Sequence, residues 1–199
     1  GDGKYPAMRR ILVVAFVLAV ASCVPLGTSV HETTTPLYKQ CDPRWGSDEM
    51  GVKGPGERAT ICKEGCAMSC VSMALASLNV SIDGAPATPG SLNAWLEQHH
   101  GYKCIDGDCN NLILSAPTQL APGRLELLGE KQKPSLTELR ALLSTHAYAL
   151  VAHVDNNHHF VLLTGPHGPG GNLTINDPYF NATSTSYDAI SDIITYKIK

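Results

Sequence analysis

The chain has 199 residues, enough for one catalytic-size domain with a single substantial core. Apolar residues make up 43% and the formal net charge is −3, a balance that argues against a nucleic-acid partner because no basic surface exists to neutralise phosphate. Without the first 30 residues, 12 Lys+Arg face 17 Asp+Glu, a net charge of about −5, still with no basic block.

Residues 1–7 precede Met8 and are read as an upstream remnant outside the fold. Met8-Arg9-Arg10 is a short basic start, and the apolar run from Ile11 to Ala21 is too short to span a bilayer comfortably. Ala19-Val20-Ala21 supplies a small-x-small cleavage site before Ser22. Residues 8–21 are therefore expected to be a signal peptide, 22–36 a polar leader, and 37–199 one domain, with no stable membrane span once the signal is removed. Val20-Ala21-Ser22-Cys23 also fits a bacterial lipoprotein site, with Cys23 as a lipid anchor. Three Asn-x-Ser/Thr sequons, at Asn79, Asn172 and Asn181, favour soluble secretion of a glycoprotein instead.

Leu37-Tyr38-Lys39-Gln40 reads as a short strand or extended segment, and 41–60, rich in Gly, Pro and charge, as a loop. After Gly65 the apolar positions Met68, Val71, Leu75 and Leu78 recur at helical spacing, so a helix is expected over 66–78. Thr88-Pro89 caps and opens a second helix to about His99, stopped by Gly101. The stretch 110–129 is poorly patterned apart from a strand-like 124–128. Ser135-Leu136-Thr137-Glu138 is a capping box opening a third helix to about Thr145. The period then becomes strand-like over 149–154, 159–164, 173–176 and 193–198, with the Gly-Pro-rich 165–171 as a hairpin connection. Helices first and an antiparallel sheet later is an α+β pattern.

Order along the chain carries the chemistry. Cys66 starts a helix, the end of a helix that favours an anion. His159 starts an apolar strand, and Asp177 follows the next one. Cys, then His, then Asp is the order a papain-like thiol hydrolase needs, since a thiolate needs an imidazole partner and the imidazole needs a group to orient it. His158 competes with His159, but strand alternation puts the two on opposite faces, with His159 alongside Val161 and Leu163. Asn176 can orient the imidazole through its amide, as Asp177 can through its carboxylate. Gln40, upstream of the cysteine loop, can donate an amide N–H to an oxyanion together with the backbone N–H of Cys66.

Other chemistries find less support. His153, His158, His159 and His167 with Asp155 and Asp177 lack any fixed-spacing zinc motif, so no metal is expected. Gly51 to Gly56 lacks the Lys-Ser/Thr of a phosphate loop, and no cofactor is expected. Trp45 and Trp95 read as core or groove wall. Beyond the signal six cysteines remain: Cys41, Cys62, Cys66, Cys70, Cys104 and Cys109. That even number fits three disulfides in an oxidising compartment, with 15 possible connectivities. Cys104 and Cys109 can close a small loop around Gly107. If Cys66 is a nucleophile a second thiol is left free, and Cys70, one helical turn on, is the candidate.

Several residues together resemble a known family. They are Tyr38-Lys39-Gln40-x-Asp42-Pro43-Arg44-Trp45, Gly65-Cys66 opening an apolar helix, Thr88-Pro89 with Leu92-Asn93-x-Trp95-Leu96 and Gly101-Tyr102, His159-Phe160-Val161-Leu162, and Asp177-Pro178. As an ordered set, from about Leu37 to the C-terminus, they look like the C-thirty-nine-like peptidases, the branch of papain-like cysteine peptidases related to bacteriocin-leader-processing proteases. The resemblance implies a papain-like fold, with helices packed on a C-terminal antiparallel sheet. It also implies Cys66 as nucleophile, His159 as general base, Asp177 as orienting group and Gln40 as oxyanion donor, acting on a peptide or protein substrate. The chain departs from the family after the nucleophile, where Ala67-Met68-Ser69-Cys70 stands in place of Gly-Pro-Thr-Ser or similar. Two alternatives stand beside the peptidase: a non-catalytic secreted binding protein on the same scaffold, with Cys66 unused or locked in a disulfide, and an amidase or transpeptidase using the same triad.

Overall fold

The computed structural model describes residues 35–52, 59–156, 158–166 and 170–199. The stretch expected to be a signal peptide, most of the expected leader, and His167 lie outside the described residues. Among the described residues four α-helices and ten strands follow in chain order. The helices are α1 (Ile61–Glu64), α2 (Cys66–Ser77), α3 (Pro89–Gln98) and α4 (Leu136–Ser144). A short ribbon pairs β1 (Ser81–Ile82) with β2 (Ala85–Pro86). A hairpin pairs β3 (Tyr102–Ile105) with β4 (Asp108–Leu112). The main sheet has six antiparallel strands: β5 (Leu125–Gln132), β6 (Tyr148–Val154), β7 (His159–Pro166), β8 (Asn172–Asn176), β9 (Ser184–Ser186) and β10 (Asp192–Ile198). Their spatial order is β5-β10-β6-β7-β8-β9, which leaves β5 and β9 at the edges. The mixture of helices and antiparallel sheet is the expected α+β class. Among the described residues no helix is long and apolar enough to cross a membrane.

The expected helices form for the expected local reasons. Thr88 accepts from the Ser91 N–H while the Ser91 hydroxyl accepts from the Thr88 N–H, and Pro89 needs no donor at the first position. Ser135 and Glu138 make the same reciprocal pair ahead of α4. Helix α2 differs from a one-sided surface helix. Every residue from Met68 to Leu75 is buried, the serines included, so it is a central helix rather than an amphipathic one.

Strand alternation divides the core into two layers. Val151, Leu162, Ile194 and Tyr196 face α2 and α3, packing with Met68, Val71, Leu75, Leu92 and Leu96. Leu150, Ala152, Val161, Leu163 and Ile193 face the other way, onto Leu139 and Leu143 of α4. Because both faces of β6 and β7 are covered, their sequences read as near-continuous apolar runs.

The N-terminal segment and the 100–120 region hold the differences from expectation. Leu37 to Gln40 forms no strand; the segment hooks the Gln40 N–H onto the Pro178 carbonyl at 2.8 Å. The hairpin β3–β4 went unread because most of it is exposed and no apolar alternation marks it. Its turn, Asp106-Gly107, has positive φ at both residues (50° and 90°), the geometry that favours Asp-Gly there.

Candidate active site

Cys66 is the first residue of α2 and is half-buried. Gly65 precedes it, and a Cβ there would lie 2.5 Å from the Ile61 carbonyl oxygen, so only glycine allows α1 to run this closely into α2. No side chain caps α2, so no side chain satisfies the N–H groups of its first turn, the end of a helix that favours an anion.

His159 is the first residue of β7, buried at the rim of the sheet, whereas His158 is exposed. The His159 Nε2 lies 2.8 Å from Asp177 Oδ1. A carboxylate only accepts, so this contact places the ring proton on Nε2 and leaves Nδ1 for Cys66, whose thiol also hydrogen-bonds the ring. Burial pulls the His159 pKa down, but the bonds to Asp177 and Cys66 outweigh it and hold the pKa up at about 9. Asp177 is buried, which alone would raise its pKa. The His159 bond and the backbone N–H groups of Tyr179 and Phe180 reverse that and keep the carboxyl below its usual range.

Asp177 is held by its own chain. Its Oδ1 accepts from the Tyr179 N–H at 2.8 Å and the Phe180 N–H at 2.9 Å, an Asx-type turn with Pro178 in it. The Asp-Pro dipeptide was the available signal for this turn. The Tyr179 and Phe180 rings are about half exposed and stand edge-on to His159, with centroids 6.5 and 5.4 Å from its ring. Sequence reading missed both aromatics. Asn176 does not compete for His159, because its amide donates to the Pro36 carbonyl at 3.0 Å and to the Thr35 carbonyl.

Gln40 is buried beside this group. Its Nε2 donates one proton to the Cys62 carbonyl at 2.7 Å, leaving the second proton for another acceptor. The disulfide Cys41–Cys62 ties the Gln40 segment to α1, four residues before Cys66. The Trp45 indole donates to the Lys39 carbonyl, and Lys39 Nζ reaches the Asp177 carbonyl at 3.0 Å. Residues 39–41 are thereby stapled both to the cysteine helix and to the acid turn.

The second disulfide joins Cys104 to Cys109, as their spacing suggested, and Cys66 and Cys70 are free. Cys66 is therefore not locked in a disulfide. Cys70 is fully buried, its thiol donates to the Phe160 carbonyl at 3.6 Å, and burial drives its pKa well up, so it is an inert core thiol. Among the described residues no three His, Cys, Asp or Glu side chains gather as metal ligands would. His153 instead stacks on Phe160 and faces Asp192. In comparisons with protein-family models, characterised proteins and solved structures, none matches the chain.

Proposed function

We propose that the protein is a secreted cysteine peptidase of papain-like architecture, related to the C-thirty-nine-like peptidases. The observation that carries this reading is the linked set Cys66–His159–Asp177, in which one buried imidazole bonds both a free thiol at a helix start and a doubly anchored carboxylate. The two disulfides and the signal-like start support an oxidising, extracellular setting.

His159 takes the Cys66 proton, and the sulfur attacks the peptide carbonyl carbon. The carbonyl oxygen gathers negative charge facing the Cys66 N–H and the second proton of Gln40 Nε2, and one such donor is worth about 10²–10³ in rate. As the C–N bond breaks, His159 Nδ1 returns its proton to the leaving amine, and the acyl group stays on sulfur as a thioester. His159 then deprotonates a water that attacks the thioester, releasing the acid and restoring the thiol. Throughout, Asp177 holds the Nε2 proton and favours the imidazolium.

Alkylation of the unreduced protein with iodoacetamide at pH 6, followed by peptide mapping, tests the pair. Rapid selective labelling of Cys66 that His159→Ala abolishes is expected, and Cys66→Ala should remove peptide hydrolysis. Labelling of Cys66 no faster than an ordinary thiol, with hydrolysis surviving Cys66→Ala, overturns the proposal.

A further inference from the structure

The turn that carries Asp177 has two sets of backbone groups to satisfy. The N–H groups of Tyr179 and Phe180 go to Asp177 Oδ1. Its carbonyls go instead to two residues near the start of the described chain. Lys39 Nζ donates to the Asp177 carbonyl at 3.0 Å and also to the Phe180 carbonyl, and the Gln40 N–H donates to the Pro178 carbonyl at 2.8 Å. An ammonium has three donors and no acceptor, so this one group holds both ends of the turn at once. Residues 177–180 lie in neither helix nor strand, so no sheet ladder fixes them, and cross-links of this kind supply their rigidity.

The lysine is itself well placed to serve as an anchor. It is half-buried, its carbonyl accepts from the Trp45 indole at 2.9 Å, and Cys41, two residues on, is bridged to Cys62. Gln40, the next residue, sends its side-chain amide to the Cys62 carbonyl at 2.7 Å. The dipeptide Lys39-Gln40 thus carries both the clamp on the acid turn and the candidate oxyanion donor.

We propose that Lys39 is a positioning residue: its ammonium fixes the turn that aims Asp177 at His159, and it ties the spacing of that acid to the Gln40 amide beside it. The effect on turnover rests on the thiol-peptidase reading above; the effect on Asp177 and His159 does not. A role through charge alone would act with the opposite sign. A cation in this region disfavours the imidazolium, so deleting its charge would raise the His159 pKa. Losing the clamp frees the carboxylate that sustains the imidazolium, and so lowers it.

Three variants of the full chain separate these effects. Lys39→Met keeps the aliphatic stem and loses every donor, Lys39→Gln keeps one neutral amide, and Lys39→Arg keeps the charge and several donors. In Lys39→Met the NMR titration midpoint of His159 should fall from near 9 towards 6.5. Iodoacetamide labelling of Cys66 at pH 6 should slow, and kcat for a peptide should drop at least about tenfold with KM held within about twofold. Lys39→Arg should restore the midpoint and most of the rate. Lys39→Gln should lie between the two, and it supplies the same readings if Lys39→Met does not fold. A lysine that only stabilised the fold would lower the melting temperature and leave the midpoint and kcat where they were. That result, a midpoint that rises, or Met and Arg variants that behave alike overturns the assignment. If iodoacetamide does not select Cys66 in the parent protein, the peptidase reading fails, and the His159 midpoint alone then decides whether Lys39 places the acid.

Discussion

Removing the Cys41–Cys62 bridge should act twice, on stability and on the site. The bridge closes a separation of 21 residues, and Cys104–Cys109 closes one of 5. Loop-closure entropy for the larger ring comes to about 3 kcal/mol and for the smaller to about 2 kcal/mol, a difference of roughly 1.3 kcal/mol. For a domain of this size each kcal/mol corresponds to about 2–4 °C of melting temperature, so Cys41→Ser/Cys62→Ser should melt about 6–12 °C lower, and Cys104→Ser/Cys109→Ser less so. Only the first pair also holds the Gln40 segment against α1, with Gln40 Nε2 on the Cys62 carbonyl. Its loss should therefore lower kcat in the surviving folded fraction, measured well below the melting temperature. Calorimetry of the two double variants, beside turnover of one peptide, checks both parts. A larger melting shift for the 104–109 pair would refute the loop-size argument, and full kcat without the 41–62 bridge would refute the link to Gln40.

Four further perturbations read the site from other directions. Because the folded pKa of His159, about 9, lies above its ordinary 6.5, the charged ring stabilises the fold fully below pH 6.5. That contribution fades as pH rises to about 9, so melting temperature should fall across this window. Asp177, held low, contributes above its ordinary 3.8 and loses that contribution as the pH falls further. In Asp177→Asn the NMR titration midpoint of His159 should move from near 9 towards 6.5, and an unmoved midpoint would mean that the carboxylate does not set it. Cys70→Ala should cost about 1 kcal/mol for the lost buried sulfur and leave the alkylation rate of Cys66 unchanged, since the buried thiol takes no part in the chemistry. Gly65→Ala drives a Cβ into the Ile61 carbonyl at 2.5 Å and must shift the junction of α1 and α2. It should lower melting temperature and slow Cys66 alkylation together, and a variant that alkylates normally would show that the junction does not position the thiol.

Where the sequence was legible, a local cause lay close along the chain. The capping pairs at Thr88–Ser91 and Ser135–Glu138 span three residues each, and both helices begin where those residues say. The strands β6 and β7 announced themselves by near-continuous apolar runs, because both of their faces are covered. The order Cys66, His159, Asp177 survived as a spatial group because a strand start and the turn after its neighbour share one rim of the sheet. The hairpin β3–β4 did not show, since its stability comes from a disulfide and a turn rather than from a buried face. The staple from residues 39–41 to 177–180 was equally hidden, because it joins groups about 140 residues apart that no pattern in the chain relates.

The turn at Asp177 separates two properties that active sites often entangle. The acid is fixed by main-chain N–H groups of residues 179 and 180, while the side chains of those residues project outward beside the imidazole. Any residue with an N–H can supply the anchoring, so the rings can be exchanged without loosening the carboxylate. The rim beside the imidazole is thus open to redesign, by selection or in the laboratory, with the Asp177–His159 hydrogen bond beneath it left intact.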